Sequence, residues 1–93
     1  MTREEVVRRT DILKLIGSYF PLSKTGEYTY RARCPFHDEK SPSFLVTSER
    51  QNYRCVRCGA HGDAVDFIRQ YEHVDEERAL HMLAQGLRNL RHD

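Results

Sequence analysis

The chain is 93 residues long, 39% hydrophobic and 31% charged, with a formal net charge of +1. This composition fits one small globular domain and argues against wholesale disorder. No apolar run approaches membrane-spanning length, and the polar stretch from Met1 to Thr10 lacks the apolar centre of a signal peptide.

Thr2 and Glu5 have the spacing of a capping box, which predicts a short helix through Arg9 that buries Val6 and Val7. Thr10 or Asp11 can cap a second short helix carrying Ile12, Leu13, Leu15 and Ile16, ended by Gly17 and Pro21. The period then changes. Tyr28, Tyr30 and Ala32 alternate with Thr29, Arg31 and Arg33, the pattern of a strand, and Lys24-Thr25-Gly26-Glu27 supplies a hairpin turn before it. Residues 43–47 read as a second strand with Phe44 and Val46 on one face, and residues 53–56 as a third beyond a polar turn.

Helical periodicity returns after Gly62. Asp63 is placed to cap a helix over Ala64 to Tyr71, with Val65, Phe67 and Ile68 apolar. Asp75 can cap a last helix bearing a stripe of Leu80, Leu83, Leu87 and Leu90, which Gly86 is expected to cut short. The expected architecture is α+β, a small antiparallel β-sheet flanked by N- and C-terminal helices in one domain over residues 1–93. A domain this small buries a limited core and often needs a staple such as a metal or disulfides.

The cysteines identify the staple. Three is an odd count that fits a disulfide framework poorly, whereas three thiolates and one imidazole make a tetrahedral zinc site. Cys34-x-x-His37 and Cys55-x-x-Cys58 are two ligand pairs separated by 17 residues. A two-residue gap lets one tight turn aim both side chains at one ion, and two such turns close the tetrahedron. Pro35 stiffens the first turn, and Gly59 follows the second where positive φ favours glycine. Isolated cysteines would be read as buried thiols; the paired spacing argues against that. Four protein ligands make the ion structural, since catalytic zinc keeps an open position. His61 is less regularly spaced and is expected at the surface or behind the ligands. Reduced thiols imply a reducing, cytoplasmic compartment. The result is a zinc ribbon, with its core over about residues 20–72.

Residues 28–58 carry six basic side chains (Arg31, Arg33, Lys40, Arg50, Arg54, Arg57) against three acidic ones (Asp38, Glu39, Glu49). Some of this charge offsets the net −1 of three thiolates on Zn²⁺. Basic residues interleaved with Tyr28, Tyr30 and Tyr53 also suit single-stranded nucleic acid, where cations follow phosphates and rings stack on bases. The same tyrosines could instead pack the inner face of the sheet.

The stretches Cys34-Pro35-Phe36-His37-Asp38-Glu39-Lys40-Ser41-Pro42-Ser43-Phe44 and Tyr53-Arg54-Cys55-Val56-Arg57-Cys58-Gly59-Ala60-His61-Gly62-Asp63-Ala64 closely resemble the zinc-binding domain of bacterial-type DNA primases. Arg9 to Ile12 and Tyr19 to Leu22 look like the family's helix and first strand before the motif, and Val65 to Ile68 like the helix after it. The resemblance implies a zinc ribbon whose sheet meets single-stranded template DNA in primer synthesis during DNA replication, beside a separate catalytic domain. It carries the zinc ligands onto Cys34, His37, Cys55 and Cys58. It places motif residues on Lys40, Ser43, Phe44 and Tyr53. Arg57 departs from the small residue usual at its position. The expected DNA-contacting set is Tyr30, Arg31, Arg33, Lys40, Ser43, Phe44, Tyr53, Arg57 and His61. No carboxylate constellation for phosphoryl transfer is visible, so the chain by itself is read as non-catalytic. The alternative is a zinc-stabilised protein-interaction module, motivated by the acidic C-terminal third and its leucine stripe.

Overall fold

Two short helices open the chain: α1 (Arg3–Arg9) and α2 (Ile12–Gly17). The Thr2 side chain accepts a hydrogen bond from the Glu5 N–H, and Asp11 accepts one from the Leu13 N–H. These caps satisfy donors left open in a first helical turn. The computed structural model describes residues 2–37 and 41–90. Lys40, with Asp38 and Glu39, lies outside the described residues.

Five strands follow: β1 (Ser23–Lys24), β2 (Thr29–Ala32), β3 (Phe44–Thr47), β4 (Asn52–Cys55) and β5 (His61–Gly62). They form one antiparallel meander in chain order. Two edge strands escaped the sequence reading. β1 lies at Ser23–Lys24 rather than in Tyr19 to Leu22, whose Tyr19 and Phe20 rings turn into the core instead. β5 has only two residues, too short for alternation to show. Then come α3 (Ala64–Glu72) and α4 (Glu76–Leu90). Asp63 and Asp66 form a reciprocal capping box on α3, and Asp75 accepts from the Arg78 N–H at the start of α4. The expected break at Gly86 does not occur. α4 runs through it, since a helical glycine costs only about 1 kcal/mol and the rest of the helix carries it.

The register divides the sheet into two faces. Phe44 and Val46 on β3, and Tyr53 and Cys55 on β4, are buried on the inner face. Helices cover that face with Val6, Ile12, Ile16, Val65, Phe67, Ile68, Ala79 and Leu83. Phe67 is the hub. Its ring centroid lies 5.4–6.5 Å from those of Tyr19, Phe20, Phe36, Phe44, Tyr53 and Tyr71. These are favourable aromatic separations. Of the leucine stripe, Leu83 is buried and Leu80 and Leu87 are half-buried. The Leu90 side chain lies outside what is described.

Arg3 ties both ends of the fold together. Its guanidinium donates to Asp63 at 2.7 Å, Asp66 at 3.3 Å and Glu76 at 2.8 Å, joining α1 to the caps of α3 and α4.

Candidate metal centre

The two x-x turns stand side by side at one end of the sheet, where Ala32 pairs with Phe44 and Phe44 with Cys55. The first, residues 34–37, follows β2; the second, residues 55–58, leaves β4. They bring one ligand atom each from Cys34, His37, Cys55 and Cys58 within 4.8 Å of one another. The residues present fit zinc. A Zn–S bond of about 2.3 Å in a tetrahedron requires sulfurs about 3.8 Å apart. The Cys34 and Cys58 Sγ atoms are 3.7 Å apart. The Cys55 Sγ lies 4.0 Å from His37 Nδ1, a few tenths longer than a tetrahedral N···S edge. Three soft sulfurs and an imidazole so close together repel one another when ionised, and a cation offsets that repulsion.

Backbone N–H groups orient the sulfurs. Phe36 N–H donates to Cys34 Sγ, and the N–H groups of Arg57 and Cys58 both donate to Cys55 Sγ, all at 3.4 Å. The Ser43 hydroxyl is 3.6 Å from Cys55 Sγ and can donate to it. The two buried thiols therefore differ. Burial pushes the Cys34 thiol up to about 12. Burial acts the same way on Cys55, but the Cys58 N–H, the Ser43 hydroxyl and the Arg57 N–H outweigh it and bring the thiol down to about 6. Zinc ligands bind as thiolates, so metal uptake by these thiols releases protons.

The proposed nucleic-acid residues do not share one surface. Ser43, Phe44 and Tyr53 are 5%, 0% and 2% exposed, which corrects the expectation that they touch DNA. Phe44 and Tyr53 stack on each other at 5.3 Å in the core, and the Tyr53 hydroxyl donates to Gln70 Oε1 at 3.0 Å. Ser43 supports Cys55 instead. Tyr30 pairs with buried Val46 and is half-buried on the same inner face. Arg31, Arg33, Arg57 and His61 are exposed. His61 sits on β5 with its Nδ1 2.9 Å from the Gly59 carbonyl oxygen, outside the ligand cluster.

The opposite face carries a row the sequence reading missed. Register aligns Arg31 with Leu45, Leu45 with Arg54, and Arg54 with His61 across four strands. Arg54 and Leu45 were legible in principle, because residues between buried Phe44, Val46, Tyr53 and Cys55 must face outward.

Residues 1–91 match the CHC2 zinc finger family. The chain belongs to that family. It is 45% identical over 80 residues to a DNA primase of Buchnera aphidicola and 46% identical over 85 residues to one of Escherichia coli K12. These matches cover 86% and 85% of this chain but 14% of each relative, so it spans about a seventh of the curated relatives it matches. The crystal structure of the Aquifex aeolicus primase, comprising zinc-binding and RNA polymerase domains, superposes with a TM-score of 0.86 at 38% identity. That match covers 90% of this chain and 21% of the Aquifex chain. What is shared is the zinc-binding part of a DNA primase, and the cofactor is one structural zinc ion. Among the described residues no helix is long and apolar enough to cross a membrane.

Proposed function

We propose that residues 1–93 form one zinc-binding domain that holds single-stranded DNA template for primer synthesis in DNA replication, beside a primase catalytic domain and in the cytoplasm. In this reading Cys34, His37, Cys55 and Cys58 are the zinc ligands. The metal fixes the ends of β2 and β4, and so fixes the spacing of the outward side chains between them. The observation that carries the reading is the transverse Arg31–Leu45–Arg54–His61 row on the outer face of the sheet. Neighbouring strands lie about 4.8 Å apart, so the row extends about 14 Å. That is long enough to follow a strand of phosphates, with apolar Leu45 between the two guanidiniums. Arg33 and Arg57 extend the positive surface from either ligand turn. Phosphate contacts of this kind confer affinity without reading sequence.

The test is a titration of the zinc-loaded chain with short labelled single-stranded DNA at low and moderate salt, with a chelator-treated control. The expected result is binding that weakens steeply with salt and disappears with the metal. Absence of binding by the folded, zinc-loaded chain would reject the reading. It would favour an interaction module whose apolar groove between α2 and α4, lined by Leu15, Tyr19, Met82 and Leu87, takes a protein partner.

A further inference from the structure

Beside the transverse row lies a cleft of about 730 Å³, lined on one side by the turn between β3 and β4 and on another by β5 and the residues that lead into α3. Both sides are held in place. Gln51 holds the turn: its Oε1 accepts from the Ile12 N–H at 2.8 Å and its Nε2 donates to the Ser48 carbonyl oxygen at 2.7 Å, on a backbone with φ of 55°. Arg3 holds the other side through Asp63 and Asp66 and offsets part of their negative charge. A volume of this size suits a small organic ligand. Charge and polarity narrow its class. Arg50 of the turn and Arg54 of β4 both line the cleft, and neither makes an ion pair among the described residues, whereas Arg3 and Arg9 do. His61, the cross-strand partner of Arg54, lines it too. Guanidiniums so placed favour a ligand with several anionic oxygens, which arginine meets two at a time. Val7 and Leu45 add half-buried apolar surface, and Asn52 adds a carboxamide, the group that pairs with the edge of adenine. A bare anion would leave the apolar surface and the carboxamide unused; a nucleotide uses both along with the cations.

We propose that this cleft binds a nucleoside triphosphate, with the phosphates on Arg50 and Arg54 and the base against Val7, Leu45 and Asn52. The role is binding alone; no bond of the nucleotide is made or broken there. Arg50 lies outside the Arg31–Leu45–Arg54–His61 row, so the cleft has a cation of its own. The site goes beyond the holding of single-stranded DNA and does not depend on it.

The experiment titrates the zinc-loaded 93-residue chain, labelled with nitrogen-15, with ATP, AMP and inorganic tripolyphosphate in separate samples without DNA, and follows the amide shifts by NMR. Shifts should concentrate over residues 50–54 and 61–63. ATP should bind on the order of tenfold more tightly than AMP, which lacks phosphates for the two arginines, or tripolyphosphate, which lacks the base. Arg50→Gln should weaken ATP on the order of tenfold. Lys24→Gln removes an equal charge from exposed β1, at the opposite edge of the sheet, and should leave ATP affinity within about twofold. Absence of ATP binding by the folded chain would overturn the proposal. So would tripolyphosphate binding as tightly as ATP, shifts centred outside the cleft, wild-type affinity in Arg50→Gln, or an equal loss in Lys24→Gln. Since no DNA is present, a failed DNA titration leaves these outcomes untouched, and the two readings fail separately.

Discussion

Replacing Arg31 and Arg54 together by Gln removes two positive charges from the outer sheet row without touching the core. Both side chains are exposed and both lie opposite the buried face, so the expected stability change is within about 0.5 kcal/mol each. The effect on DNA should be larger and of a particular form. Withdrawing one cation from a single-strand phosphate lowers the slope of log affinity against log salt by about 0.7, so withdrawing two lowers it by about 1.4. Between about 50 and 200 mM salt, a fourfold change, that slope difference amounts to about sevenfold. The wild-type advantage should therefore shrink about sevenfold over this range. Fluorescence anisotropy of a labelled oligonucleotide at four salt concentrations measures it, with thermal unfolding as the control for folding. A double variant that stays folded and shows the wild-type slope would refute the placement of the template on this face, whatever its affinity at one salt.

Cys55→Ser should lose zinc and most of the fold, because structural zinc contributes on the order of 10 kcal/mol to small domains; circular dichroism and metal analysis of the purified variant check this. Asp63→Asn tests the Arg3 network by pH. Burial opposes ionisation of Asp63, but the Arg3 hydrogen bond and the Asp66 N–H outweigh it and hold the carboxyl below its ordinary value. A lowered folded pKa gives stability that is present above about pH 4 and lost as pH falls through the folded value. The wild type should melt above Asp63→Asn at pH 6, and the gap should close on acidification below about pH 4; a gap independent of pH would contradict the ion-pair account. Gly62→Ala should destabilise by about 1–3 kcal/mol, since φ is +148° and an added Cβ runs into the Asp66 side chain. Chemical denaturation reads that loss directly.

Several elements were legible because their signals are local. The caps at Thr2, Asp11, Asp63 and Asp75 each need one side chain and one N–H a few residues away. The metal centre was legible because each half is a four-residue turn, and two of the same kind leave little else to infer. Which of the expected nucleic-acid residues face outward was not, because a motif gives identity without orientation. Ser43 and Phe44 are adjacent in the motif, yet one serves a ligand sulfur and the other fills the core. Tyr53 is open in the sequence to base stacking or to the inner face of the sheet, and its strand parity with Cys55 commits it to the inner face along with the ligand. Once β4 is seen to point Cys55 inward, Tyr53 must follow and Arg54 must face out.

The same parity explains why metal and core depend on each other. Cys34 and Cys55 belong to the hydrophobic cluster as well as to the zinc centre, and Phe36 between Cys34 and His37 packs its ring on Phe44, Tyr53 and Phe67. Losing the ion would leave two buried thiols crowded against a third, with the Phe36 turn no longer held against β4. Truncating Phe67 to Ala would remove the ring on which six others converge, at about 3–5 kcal/mol. Either change acts on both systems, so zinc affinity and core stability should fall together in Phe67→Ala rather than independently. A variant that unfolds more readily yet holds zinc as tightly as the wild type would show instead that the two turns form a metal site without the core behind them.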